Sequence, residues 1–104
     1  MSFQYEIENR RKELHVLCRN YRVKKLELIG SALHGQFDDA RSDVDFLVEF
    51  HEMSASEHAN CYFTLLERLQ DLFKRPVDLI EIKAVRNPHF LESIRMRRST
   101  LYAA

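Results

Sequence analysis

The chain has little material for linkers or covalent staples. Its 104 residues include two glycines, two prolines and two cysteines. So few Gly and Pro argue against a flexible linker, and there is no low-complexity tract or internal repeat. Cys18 and Cys61 are too few and too far apart for a metal cluster or a disulfide framework. Each sits in an apolar helical pattern, which reads as two buried free thiols suited to a reducing cytoplasm. No apolar run approaches the roughly 20 residues that span a bilayer. The start, Met-Ser-Phe-Gln-Tyr-Glu, has no basic-then-apolar signal segment. An excess of either charge is also missing, since 16 Lys and Arg balance 16 Asp and Glu. A neutral chain without a basic, aromatic stripe disfavours nucleic acid as a partner. The length suits one compact domain, residues 1–104. A chain this short buries a modest core, so association with a partner or with itself would help its stability.

What is present is unevenly placed. Residues 1–25 carry seven Lys/Arg against three Asp/Glu, residues 26–60 one against eight, and residues 61–104 eight against five. Four of the central acids, Asp38, Asp39, Glu52 and Glu57, read as a solvated loop and a helix start. Among the others, Asp43 and Asp45, with Asp78 further on, carry the site reading.

Periodicity gives the elements. Phe3, Ile7, Leu14, Leu17, Cys18 and Tyr21 recur at helical spacing, so the first twenty residues read as one amphipathic helix. Leu26–Ile29 follows as a strand, Gly30–Gly35 as a turn and short helix, Phe37–Ser42 as a loop, and Asp43–Phe50 as a second strand. Ser54-Ala-Ser-Glu57 offers a capping box to a helix carrying Tyr62, Leu65, Leu66, Leu69, Leu72 and Phe73. Pro76 stops that helix, and Val77–Ile82 is a third strand. Asn87-Pro88 caps a short last helix, and Ser99–Ala103 makes a final strand. Alternating helices and strands suit a sheet covered by helices.

The most informative stretch runs from Gly30 to Phe50, Gly-Ser-Ala-Leu-His-Gly-Gln-Phe-Asp-Asp-Ala-Arg-Ser-Asp-Val-Asp-Phe-Leu-Val-Glu-Phe. Alternation along a strand puts Asp43 and Asp45 on one face, about 7 Å apart, with Val44, Phe46, Val48 and Phe50 on the other. Two carboxylates with no basic residue between them repel each other, and a hard divalent ion bound through oxygen relieves that repulsion. A Gly-Ser turn offers backbone amides and a hydroxyl to phosphate oxygens. Phosphate cradle and metal-binding carboxylates together equip a chain for phosphoryl or nucleotidyl transfer. Taken alone, Ser42-Asp43 is also good turn chemistry, whereas Asp45 stands inside an apolar strand where a carboxylate needs a reason.

Gly30-Ser31, Gly35 and Ser42-Asp43-Val44-Asp45 running into Phe46-Leu47-Val48 resemble the minimal nucleotidyltransferases of the DNA polymerase beta-like superfamily. The resemblance extends over nearly the whole chain. Val77-Asp78-Leu79-Ile80 fits the family's later strand with a third carboxylate, and Asn87-Pro88-His89-Phe90-Leu91 with Leu101-Tyr102 is similar to the family's tail. Two departures stand beside the expected triphosphate site. Ala32 and His34 occupy a turn where many members carry arginines, and Phe37-Asp38-Asp39-Ala40 lengthens the spacer by about one residue.

The resemblance implies an α/β (α+β) domain, a mixed β-sheet covered by helices. It implies ATP as substrate, Mg²⁺ or Mn²⁺ as cofactor, and Asp43, Asp45 and Asp78 as catalytic metal ligands. Gly30 and Ser31 would hold the triphosphate. His34 would contact phosphate or lie solvated, and Arg41 would reach the triphosphate or pair with Asp39. The rival to Asp78 is Glu81, which strand parity puts on the opposite face. Arg95, Arg97 and Arg98 read as a basic end to the last helix that compensates its dipole, or as a partner contact. The family's small members are often paired with a HEPN-domain ribonuclease toxin, which implies an antitoxin that transfers AMP to a toxin tyrosine. The competing reading is a non-catalytic module that neutralises the toxin by binding. A nucleic-acid end-modifying enzyme is the third.

Overall fold

The computed structural model describes residues 3–29, 44–96 and 98–104. In chain order these form α1 (Phe3–Asn9), α2 (Arg11–Asn20), β1 (Val23–Ile29), β2 (Val44–Phe50), α3 (Ala55–Phe73), β3 (Val77–Glu81), a 3-10 turn (Ile82–Ala84), α4 (Pro88–Met96) and β4 (Arg98–Ala103). The strands form one sheet in the order β3-β2-β1-β4. β1 pairs antiparallel with both β2 and β4, and β2 pairs parallel with β3. The parallel pair needs a crossover, which α3 supplies.

One face of the sheet carries the main core. Leu26, Leu28, Phe46, Val48, Val77 and Leu79 meet Phe3 and Ile7 of α1, Leu14 and Cys18 of α2, and Cys61, Leu65, Leu69 and Phe73 of α3. The Phe73 ring lies 5.1 Å from that of Phe3 and 5.9 Å from that of Phe46. On the other face a smaller cluster joins Ile29 and Leu47 to Ile94 of α4, with Ile80, Ile82 and Val85 packed around it.

The expected single N-terminal helix is two. The break falls at Arg10, whose ψ of 11° leaves the helical range. Arg10 N–H donates both to Glu6 O at 3.0 Å and to Ile7 O at 3.1 Å. Between Ile7 and Leu14 the apolar period meets Arg10 and Arg11 instead of core side chains, so no burial holds that turn on the sheet.

The later boundaries follow local chemistry. Ser54 Oγ accepts from Glu57 N–H at 3.2 Å and starts α3. Lys74 takes the left-handed conformation, φ 54°, at the end of α3 ahead of Pro76. Asn87 Oδ1 accepts from the amides of His89 and Phe90 at 2.9 and 3.3 Å, with Pro88 opening α4. β3 ends one residue earlier than its apolar run suggests, because Ile82 begins the 3-10 turn. Cys18 and Cys61 are free and buried, as their patterns imply. Among the described residues, no helix is long and apolar enough to cross a membrane.

Candidate active site

The junction of α3 and β3 sets the geometry. Gln70 Oε1 accepts from Val77 N–H at 3.2 Å, and Val44 N–H donates to Pro76 O at 3.1 Å. These bonds fix the start of the parallel ladder, in which Val44 is opposite Val77 and Asp45 is opposite Asp78. Residues opposite each other on paired strands share a face, so Asp45 and Asp78 stand side by side, about 4.8 Å apart at the backbone. Asp45 is half-buried and Asp78 exposed. Both lie on the face away from the three-helix core, since Val44, Phe46, Val77 and Leu79 point into that core.

Glu81 follows the other parity. It turns toward α3, where His58 Nε2 sits 2.6 Å from its Oε1. Nearby, the Tyr62 hydroxyl donates to Leu79 O. Burial, and then the Glu81 and Asp78 carboxylates, push the Tyr62 phenol above its ordinary pKa. His58 and Glu81 line a cleft of about 320 Å³ with His51, Met53 and Lys83. That cleft is at the far end of β2 and β3 from Asp45 and Asp78.

Of the sequence candidates, Asp45 and Asp78 are brought together. Gly30, Ser31, His34, Arg41 and Asp43 lie outside the described residues. Among the described residues, no set of three Asp, Glu, His or Cys side chains is arranged to hold a metal. Asp45 and Asp78 offer two hard oxygen donors on adjacent strands, which suits a divalent ion that prefers oxygen ligands.

Of two further charged residues on this same face, Glu27 escapes the sequence reading and Arg98 is assigned by it to the wrong element. Glu27 of β1 is 3% exposed, with Lys25 Nζ 3.7 Å from Oε1, and with Arg98 Nε and the Thr100 hydroxyl 3.4 and 3.5 Å from Oε2. Arg98 is not the end of the last helix. α4 stops at Met96, and Arg98 opens β4 opposite Ile29. Neither position carries a sequence signal of its own, because each takes its meaning from the β1–β4 register. The nearest hint is that Glu27 interrupts the apolar run Leu26–Ile29.

Comparison with known proteins agrees with this architecture. A protein of Methanocaldococcus jannaschii named "Putative protein adenylyltransferase MJ1379" is 36% identical over 84 residues, covering 81% of this chain and 82% of that protein. A solved structure of a "putative minimal nucleotidyltransferase" superposes with a TM-score of 0.69 at 24% identity, covering 94% of each chain. A tri-AMPylated HEPN toxin of Shewanella oneidensis in complex with an MNT antitoxin contains a chain that superposes with a TM-score of 0.63 at 14% identity, covering 93% of this chain and 72% of that one. The last two likenesses concern the fold. The nucleotidyltransferase domain family matches residues 10–101, and the chain belongs to that family, as an enzyme of the nucleotidyl-transferring class.

Proposed function

We propose that this protein transfers AMP from ATP, with Mg²⁺ or Mn²⁺, to a tyrosine of a HEPN ribonuclease toxin, and so acts as its antitoxin. The observation that carries the reading is the register of β2 and β3, which sets Asp45 beside Asp78 on an accessible face. The adenylyltransferase name of the archaeal relative and the AMPylated toxin in the structural neighbour support the nucleotide and the partner. The buried free thiols and the absence of a spanning helix among the described residues suit a cytoplasmic protein. Residues 1–104 are read as one nucleotidyltransferase domain.

In this reading the toxin tyrosine oxygen attacks the α-phosphorus of ATP. The new O–P bond forms as the bond to the β-phosphate oxygen breaks, and pyrophosphate leaves with that electron pair. Asp43, Asp45 and Asp78 would hold a divalent ion, which when bound would neutralise phosphate charge and lower the pKa of the attacking hydroxyl. Asp78, on the exposed edge strand, would help to take up the tyrosine proton, which then passes to solvent. Gly30 and Ser31 cradle the triphosphate, with His34 and Arg41 as further contacts. Positioning and charge neutralisation supply most of the catalysis.

The altered turn at Ala32 and His34 favours a second reading, a module that neutralises the toxin by binding alone. One experiment separates them. Asp43→Asn combined with Asp45→Asn keeps side-chain size and removes charge. Transfer predicts loss of toxin labelling by radiolabelled ATP and loss of protection in cells that co-express the toxin, with the fold intact. A variant that still protects as well as the wild type would sink transfer and leave the binder.

A further inference from the structure

β1 and its two neighbours align four residues across the sheet. Asp78 of β3 is opposite Asp45 of β2, Asp45 is opposite Ile29 of β1, and Ile29 is opposite Arg98 of β4. Opposed residues share a face, so this row runs acid, acid, apolar, base on the face that carries the candidate site. Ile29 is buried under Ile94, while the charged residues on either side of it keep contact with solvent. Two strand spacings separate Asp45 from Arg98, roughly 10 Å at the backbone.

Arg98 is also braced. Its Nε lies 3.4 Å from Glu27 Oε2. The Glu27 side chain is 5% exposed, and a carboxylate so buried is costly unless it is paired and hydrogen-bonded. Lys25 and Thr100 complete its surroundings. Among the described residues, one carboxylate here meets two cations, an excess of positive charge across the sheet from the acidic pair.

We infer that Arg98, held in place by Glu27, is a phosphate-binding residue of the site and contacts the polyphosphate of the bound nucleotide. The inference rests on the nucleotidyl-transfer reading above. A planar guanidinium held beside a buried carboxylate can offer N–H groups to phosphate oxygens in a fixed fork. Glu27 is then a positioning residue, which acts through Arg98 and touches no substrate. The bland account is that Glu27 and Arg98 only tie β4 to β1. That account predicts changes in stability and none in nucleotide affinity.

The test is calorimetric titration of the whole chain with ATP, and in parallel with adenosine, both in Mg²⁺. The proteins are the wild type, Arg98→Gln, Glu27→Gln and the Glu27→Gln, Arg98→Gln double variant, each with a thermal melt. The double variant guards against unfolding, because neutralising both partners strands no buried charge. Loss of a charge-assisted contact predicts about tenfold weaker ATP binding in Arg98→Gln and in the double variant, with adenosine unchanged. Glu27→Gln keeps the cation without its brace and should lose a smaller factor. A folded double variant that binds ATP as the wild type does overturns the assignment of Arg98 alone. A wild type that binds no ATP overturns the nucleotide reading and this inference with it.

Discussion

The two faces of the sheet use the same strands for opposite ends. On one face Phe46, Val48, Leu26 and Leu79 press against three helices in a continuous apolar core. On the other, Asp45, Asp78, Glu27 and Arg98 share the surface with a small patch, Ile29 and Leu47 under Ile94. β2 serves both faces residue by residue, because its side chains alternate. The apolar face spreads its stabilisation over many contacts, so the fold leaves the other face free to carry carboxylates that repel one another. Stability and chemistry are thus separated by a single backbone thickness, and adjacent residues should fail in different ways.

The largest expected effect sharpens that contrast at Asp45. Asp45→Asn should lower the rate of AMP transfer on the order of 10³-fold, since it removes a charge that holds ions and phosphates in place. Its thermal midpoint should stay near that of the wild type. Radiolabel transfer beside a melting curve checks both. A stability loss matching the activity loss would break the separation of the faces.

One residue along, Phe46 should do the reverse. It is fully buried, and Phe46→Ala should cost about 3–5 kcal/mol through lost burial and the cavity left behind. Chemical denaturation measures this directly. Transfer per folded molecule should persist at temperatures where the variant remains native.

A third prediction probes the covered face by pH. Burial pushes the Cys18 thiol up to about 12 from an ordinary value of 9.0. Above pH 9 the unfolded thiol therefore ionises while the folded one stays neutral. The unfolded state then binds fewer protons, so stability falls as pH rises toward 12 and is unaffected by this group below pH 9. The fall is at most about 1.4 kcal/mol per pH unit. Tyr62, whose folded value is also raised, contributes with the same sign. Cys18→Ala should flatten the alkaline slope, measured as denaturation midpoints at successive pH values, whatever constant offset its smaller volume adds.

How much of this was legible in the sequence depends on the range of the cause. Local causes were readable. The Ser54 cap, the Asn87-Pro88 start and the four strands follow from residues a few positions apart. Parity within β3 separated Asp78 from Glu81 without any structure. Long-range causes were not readable. Arg98 stands in a basic run that continues the pattern of α4, and only its pairing with Ile29 shows that it is a strand residue on the face of Asp45. Glu27 is the same case, an acid whose partners Arg98 and Thr100 lie more than 70 positions away. The break at Arg10 was hidden because apolar residues on both sides keep a helical period, and helical hydrogen bonding nearly continues across it. Of the candidate site, β2 and β3 place Asp45 and Asp78, while Asp43 and residues 30–35 lie outside the described segments.

The smallest expected effect tests whether the two faces are energetically independent. Ser54 caps α3 at the end of β2 remote from Asp45, and its hydroxyl oxygen satisfies the Glu57 amide at 3.2 Å. Ser54→Ala leaves that amide to water and should cost about 1 kcal/mol. For a domain of this size the midpoint should fall by roughly 4–8 °C. The neighbouring Arg22–Glu57 pair, at 2.9 Å, is exposed and offsets little of the loss. Since α3 packs on the covered face, loosening its first turn should leave the register of Asp45 with Asp78 untouched. Calorimetry at a temperature where both proteins are folded should therefore give the same ATP affinity within about twofold, under 0.5 kcal/mol. A larger drop would mean that the start of α3 is coupled through β2 to the site, and that the backbone between the two faces transmits what the alternation of side chains keeps apart.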